Sequence, residues 1–181
     1  MKSAIHKVRC GAILAATLCA ASCSHSDAQR EISPGWKSVP HVANTDPDRE
    51  QLELELREFI FRREIASPIR NEIVFLSFGY ADDGNWIEPP YEYIDRFSDL
   101  PVMVGSVSDA NLFSGGLTSK AFGRAGHIYY VQIVEWLDDS TVKVNHSLYG
   151  GPLYGGGATG EVYDIQQGKW RLKVRGQHYI E

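Results

Sequence analysis

Histidines are the first residues in this sequence with the side-chain chemistry for a reactive or metal-binding site. His127, His146 and His178 lie in the part of the chain that reads as folded. No HExxH or similar ligand spacing occurs, so a zinc site would have to be assembled from separate strands. We therefore predict no metal site.

His146 is the histidine whose position on a predicted strand gives it two possible roles. By alternation it shares a strand face with Val142 and Val144, which places its imidazole on the inner side of a sheet, near Tyr149 and Tyr154. One interpretation is a histidine at the edge of the core, bonded to backbone or to a tyrosine. The other is a pocket group or proton carrier, with His146, Tyr149 and Tyr154 as candidate contacts for a ligand or partner.

Other patterns for catalysis are missing from the sequence. No serine lies within a G-x-S-x-G motif, and no cysteine occurs after residue 23. Carboxylate pairs such as Glu135 with Asp138, or Glu161 with Asp164, are spaced like ordinary strand and turn charges. The sequence predicts no catalytic residue, and nothing in it requires an enzyme.

Two glycine-containing segments match the residue patterns of known binding motifs but not the structural context that these motifs need. Residues 155–160, GGGATG, fit GxGxxG, but a strand rather than a helix follows and too little chain remains for a dinucleotide-binding unit. We interpret this segment as a floppy hairpin connection whose glycines permit bulges. In the turn at residues 82–85, DDGN, only Asp83 could coordinate calcium. The sequence therefore predicts no cofactor.

Residues 1–22 have the layout of a secretory signal. Lys2, Lys7 and Arg9 precede an apolar run over residues 10–20, and small residues follow. The apolar run is shorter than the roughly 20 residues that cross a bilayer as a helix. We therefore expect the chain to be exported.

All three cysteines, Cys10, Cys19 and Cys23, lie in this leader region. Cys23 follows Ala20-Ala21-Ser22, which resembles the lipobox of bacterial lipoproteins, although that family favours Leu where Ala20 stands. The resemblance implies that Cys23 is acylated and holds the protein on a membrane of the bacterial cell envelope, facing the periplasm or the cell exterior. The alternative is ordinary signal cleavage, after Ser22 or after residue 28.

The charge balance bears on the partners that this chain could bind. Removing residues 1–22 takes away three cations and no anion, so the formal charge changes from −5 to −8. An acidic exported chain argues against nucleic acid and against adsorption to anionic lipid. Residues 23–45, rich in Ser, Pro and Gly, read as a flexible tether, and residues 46–181 as a single domain.

The hydrophobic pattern predicts the elements that position these residues. Asp46 and Pro47 start a helix that ends at Ser67-Pro68. A strand buried on both faces follows over residues 72–79, then a short helix over 88–97, an edge strand over 100–107 and a long loop over 109–127. Four further strands are predicted over residues 128–137, 142–149, 161–165 and 169–174.

This order predicts an α+β fold, in which an N-terminal helix packs on a curved, mostly antiparallel sheet that ends in a four-strand meander. The architecture resembles cystatin-like and NTF2-like folds. From Ile73 to the end, the segments EIVFLSFGYADDGNW, PPYEYIDRF and GKWRLKV resemble small exported bacterial proteins of unknown function. That resemblance implies no catalytic residues.

Three functional hypotheses follow from the sequence. The first is a non-enzymatic, envelope-anchored protein that binds a protein or small molecule through its sheet or its glycine-rich loop. The second is an immunity-like inhibitor that neutralises a toxin in the periplasm. The third is an NTF2-like enzyme with His146 as general base and a tyrosine as its partner.

Overall fold

The computed structural model describes residues 47–66, 73–81, 83–151 and 154–180. The predicted signal segment, Cys23, the tether, the capping Asp46 and the helix stop at Ser67-Pro68 lie outside the described residues.

Helix α1 spans Pro47–Ile65 and supplies one layer of the fold. Acidic side chains in its first turn and Arg62 and Arg63 in its last turn complement the helix dipole. Its buried apolar residues Leu56, Ile60 and Phe61 belong to one core cluster with side chains of the sheet. Burial of this apolar face, more than helix propensity, holds α1 in place.

The second layer is a seven-stranded sheet. Its strands are β1 (Ile73–Ser77), β2 (Met103–Ser106), β5 (Gly126–Trp136), β6 (Thr141–Gly151), β7 (Tyr154–Gln166), β8 (Lys169–Val174) and β9 (Gln177–Ile180). The strand order is β2-β1-β5-β6-β7-β8, and β9 pairs with β7. Strand β1 is parallel to both β2 and β5, whereas the other pairings are antiparallel. The predicted α+β class with a mostly antiparallel sheet is confirmed.

The prediction of a strand buried on both faces is also confirmed, because all five residues of β1 are buried. Strand β2 lies at the edge of the sheet, as predicted for residues 100–107. Between these strands, a short helix α2 (Tyr91–Ile94) continues into a 3-10 turn, Asp95–Phe97, and buries Tyr93 and Phe97.

The predicted long loop over residues 109–127 is wrong. A 3-10 turn, Val107–Asp109, is followed by a hairpin of β3 (Ala110–Phe113) and β4 (Gly116–Ser119), and β5 begins at Gly126. Gly116 makes the hairpin possible, since its φ of +146° lies outside the region that other residues adopt. Four-residue strands interrupted by glycine are too short for a periodic pattern to be seen.

The interpretation of residues 155–160 as a floppy connection is also wrong. They form the first half of β7, which is paired with β6 on one side and with β9 on the other. Strand β9, which the sequence analysis did not predict, supplies the second partner. Backbone hydrogen bonds on both sides order this segment although it lacks side chains to pack.

Different elements pack on the two faces of the sheet. Val74, Leu76 and Val131 point to the face that α1 covers. Ile73, Phe75 and their neighbours point to the opposite face, where they bury Val107, Ala110 and Leu117 of the hairpin region.

Candidate functional site

His146 belongs to a polar cluster beneath the end of α1. Its Nε2 lies 3.0 Å from Oε2 of Glu161 on β7. The same oxygen accepts a hydrogen bond from the Tyr163 hydroxyl and lies 3.4 Å from Nη2 of Arg63. On the other carboxylate oxygen, Oε1, Nε2 of His178 lies 3.9 Å away. Glu161 is therefore the centre of a cluster drawn from α1, β6, β7 and β9.

A β-bulge brings Glu161 to this face of the sheet. The register runs from His146 opposite Ala158 to Val144 opposite Glu161, so β7 carries one extra residue. Gly160 takes a φ of +69° there, and its N–H donates to Oδ1 of Asn145 at 2.8 Å. Without the extra residue, alternation would place Glu161 on the opposite face.

The cluster keeps Glu161 ionised. Its burial, at 2 % exposure, raises the pKa of the carboxyl group. Hydrogen bonds from His146 and Tyr163, together with the charges of His146 and Arg63, outweigh burial and lower that pKa to about 2. For Tyr163 burial is again the main cause, and it raises the pKa of the phenol.

An ionised Glu161 determines the proton position on His146. A carboxylate only accepts hydrogen bonds, so at 3.0 Å the Nε2 atom of His146 must carry the proton. Nη2 of Arg63, 3.3 Å from the same nitrogen, then donates to carboxylates and not to the imidazole. His146 is 6 % exposed, which leaves its donor aimed at Glu161 and away from solvent.

Tyr149 is not next to His146, contrary to the prediction. It lies three positions further along β6 and therefore points to the opposite face. There its ring lies 6.3 Å from Trp86, whose ring is 5.9 Å from Tyr130 and 4.1 Å from Tyr80. These rings, of which Tyr130 is buried and the others are half-buried, form an aromatic group that is separate from the polar cluster.

Tyr154 is also separate from His146, and it is 48 % exposed. Its ring packs against His127 at 5.2 Å, and both rings lie over the bare backbone of Gly150. The structure therefore brings none of the three predicted contact residues together.

Tyr154 instead lies beside the β3–β4 hairpin. Tyr154 is the register partner of Gly151, and Phe113 is the register partner of Gly116. Gly151 and Gly116 approach so closely that a Cβ at Gly151 would lie 3.1 Å from Cα of Gly116. Leu112, Phe113 and Tyr154 are all exposed, and they belong to the segments that meet at this end of the sheet. We call these three residues the distal surface.

The start of α1 lies at the opposite end of the sheet. Nη2 of Arg49 is 3.5 Å from Oδ1 of Asp139, in the turn between β5 and β6, and its guanidinium lies 4.7 Å from the Trp136 ring centre. The 11 residues of β6 lead from this turn to Gly151. At ~3.4 Å per residue, the chain enters the domain roughly 30 Å from the distal surface.

The described residues offer no group of three or more His, Cys, Asp or Glu side chains arranged to hold a metal ion. Within those same residues, no helix is long and apolar enough to cross a membrane.

Of the side chains in the polar cluster, His146 was predicted from the sequence, whereas Glu161 and Arg63 were not. The spacing of Glu161 from Asp164 is that of an ordinary strand charge. The only signal of its inward position was Gly160, the residue before it, at the end of a glycine-rich stretch.

No protein-family model, curated protein or solved structure matches this chain.

Proposed function

We propose that this chain is an exported, lipid-anchored binding protein without catalytic activity, which holds a protein partner at its distal surface. The observation that carries the proposal is the exposure of Leu112, Phe113 and Tyr154, on segments that meet at one end of the sheet. Exposed aromatic side chains are typical of protein interfaces, where they bury large areas at little entropic cost.

Charge supports the same surface. Residues 110–134 and 142–160, which surround it, contain no Asp or Glu, although the chain as a whole is acidic. These two segments therefore contribute no carboxylate that a partner would have to desolvate. Acidic side chains lie instead near the start of α1 and in the turn with Asp139.

The position of the entry point also supports it. If Cys23 carries the lipid, the tether over residues 23–45 joins the domain at Pro47, roughly 30 Å from the distal surface. The distal surface then lies at the other end of the sheet from the point at which the tether joins the domain. The finer fold that accompanies this proposal is the one expected from the sequence, a helix on a curved sheet ending in a four-strand meander, as in cystatin-like and NTF2-like folds.

The partner is tested by photo-crosslinking in the native cells. A photoreactive phenylalanine analogue is placed at Phe113, at Tyr154 or at Leu137, in separate full-length variants. Leu137 and Phe113 are both 51 % exposed, so Leu137, near the entry point, is a matched control. We expect a discrete protein adduct from positions 113 and 154 and none from 137. Adducts of equal yield from all three positions, or none from 113 and 154, would overturn the proposal.

The anchor is tested by fractionation of the Cys23→Ser variant. We expect the wild-type protein in the membrane fraction and the variant in the soluble exported fraction. Lipidation is contradicted if the wild-type protein is itself in the soluble fraction and its intact mass is that of an unmodified chain beginning at residue 23 or 29.

A second candidate function is the enzyme with His146 as general base, which the bond between His146 and Glu161 favours. Against it, the imidazole is only 6 % exposed and its Nε2 proton is directed at Glu161, which leaves Nδ1 alone to act as a base. In the His146→Phe variant we expect the crosslink at position 113 to persist. An immunity-like inhibitor is a special case of the binding protein, identified if the crosslinked partner is a toxin.

A further inference from the structure

Strand β8 forms one edge of the main sheet. Among the described strands it pairs with β7 alone, so no described strand takes the hydrogen-bonding groups on its outer side. The strand runs for six residues, Lys169–Val174, without a proline. An edge of this kind supplies the backbone half of a site to which an extended segment of another chain can add.

One face of β8 carries a row of cations. Lys169, Arg171 and Lys173, which we call the basic row, are all exposed. Arg171 is the register partner of Asp164, and Nζ of Lys173 lies 3.9 Å from Oδ2 of the same aspartate. Asp164 follows the core residue Tyr163, so by alternation it points to the face away from α1. One carboxylate beside three cations leaves this face of β8 with an excess of positive charge.

The other face of β8 is apolar. Trp170 belongs to the core that α1 covers, and Leu172 packs against that core. Tyr163 is the register partner of Leu172, and the ring of Phe59 on α1 lies 6.3 Å from the Tyr163 ring. Phe59 is 38 % exposed and Leu172 is half-buried. Apolar surface of the helix and of the strand is therefore accessible beside the open edge.

We propose that the open edge of β8 binds an extended segment of a protein partner in which apolar and acidic residues alternate. The segment pairs its backbone with β8, lays its apolar side chains beside Leu172 and Phe59, and places its carboxylates against the basic row. Successive side chains of a strand point to opposite faces, so this alternation matches both faces of β8 at once.

This edge is separate from the distal surface, and the proposal goes beyond the function proposed above. Strand β8 pairs with residues 162–166 at the end of β7, whereas Tyr154 begins that strand. A partner strand on β8 therefore leaves Tyr154 and the β3–β4 hairpin accessible.

Charge selects this occupant over two others. A second copy that paired through its own β8 would bring two basic rows together, and lysines on an edge strand oppose such pairing. The chain's own segment over residues 23–45 contains two anions, Asp27 and Glu31, and two cations, Arg30 and Lys37, so it has no net charge to complement the basic row. An acidic strand from a partner satisfies the backbone and the cations together.

Hydrogen exchange on the full chain with a synthetic peptide tests the proposal. The probe is a capped ten-residue peptide of alternating valine and glutamate, whose carboxylates oppose its self-association at neutral pH. At peptide concentrations up to about 1 mM, we expect the amides of residues 169–174 that do not bond to β7 to exchange at least about twofold more slowly. The slowing should diminish as salt is added, because salt screens exposed charges. Amides of β5 are the internal reference and should not change.

Two control peptides separate the contributions of charge and of apolar contact. Alternating valine and lysine keeps the apolar face and reverses the charge, and we expect no slowing from it. Alternating threonine and glutamate keeps the charge and nearly the same shape, and we expect its affinity to be about threefold lower or less. The proposal is overturned if the valine–glutamate peptide slows no β8 amide, or if either control peptide acts as strongly as it does.

Paired variants locate the site on the chain. Replacing two members of the basic row, Lys169→Gln with Arg171→Gln, should lower the affinity for the valine–glutamate peptide about fivefold, as for the loss of two exposed ion pairs. The matched control, Lys120→Gln with Arg124→Gln, removes the same charge from exposed residues that follow β4, and it should bind like the wild type. Equal losses in the two variants, or no loss in the first, would show that the peptide does not bind at β8.

Discussion

Glu161 illustrates how burial and hydrogen bonding compete at one carboxylate. Burial raises its pKa, and the donors His146, Tyr163 and Arg63 lower it further than burial raises it. The balance is an ionised group inside the fold, and this makes Glu161 an electrostatic tie between a helix and three strands.

The Glu161→Gln variant should be less stable at neutral pH and less sensitive to acid. The folded-state pKa of about 2 lies below the usual value of 4.5, so this group stabilises the fold above pH 4.5 and loses that effect as the pH falls towards 2. We expect a loss of about 2 to 3 kcal/mol in the free energy of unfolding at neutral pH. Urea unfolding at a series of pH values measures both effects.

Glu55→Gln, on the exposed face of α1, is the control for removal of one carboxylate. If the wild-type stability between pH 4.5 and 2 declines no more steeply than that of Glu161→Gln, the tie assigned to Glu161 is absent.

At this scale the sequence predicted one member of the cluster, His146. Alternation along residues 142–148 was enough to turn His146 inward, because β6 is regular there. Alternation along β7 gives the wrong face for Glu161, since the bulge at Gly160 shifts the phase by one residue. Partners across a bulge cannot be paired until the register is known.

At the scale of elements, β7 shows that glycine content is not a measure of looseness. Its glycines allow backbone to approach backbone more closely than a Cβ would permit. At Gly157 an added Cβ would overlap the carbonyl oxygen of His146 and lie 2.7 Å from Cα of Ser147. The sequence analysis interpreted these glycines as a connection because propensity alone disfavours glycine in strands.

Gly157→Ala should therefore destabilise the protein by about 3 kcal/mol, the upper end of the range for overpacking, because the atoms in the way are backbone and cannot rotate aside. Thermal unfolding of the variant measures this loss.

Gly105→Ala in β2 is the matched control. Its added Cβ would meet only side chains, with Oδ2 of Asp109 at 3.3 Å, so we expect a cost of about 1 kcal/mol or less. Equal stability losses in the two variants would show that β7 is not packed as closely as described.

At the scale of the whole molecule, the class of fold could be predicted because it depends on local patterns. The run over residues 73–79 was predictably a buried strand, since it is apolar on both faces. The strands β2 and β5 were predicted, but their pairing with this strand was not, because parallel pairing joins segments that are distant in sequence. The β3–β4 hairpin, which covers the second face, was not predicted for a different reason: its strands are too short to show a periodic pattern.

The contact between Arg57 of α1 and the carbonyl of Val131 joins residues 74 positions apart. A chain that emerges in order from a ribosome or a translocation pore therefore presents the helix long before the strands on which it docks. Until those strands arrive, Leu56, Ile60 and Phe61 face water or a chaperone. The domain consequently acquires its stable structure only after most of its length has emerged. Up to that point the chain is unfolded enough to pass through a narrow pore.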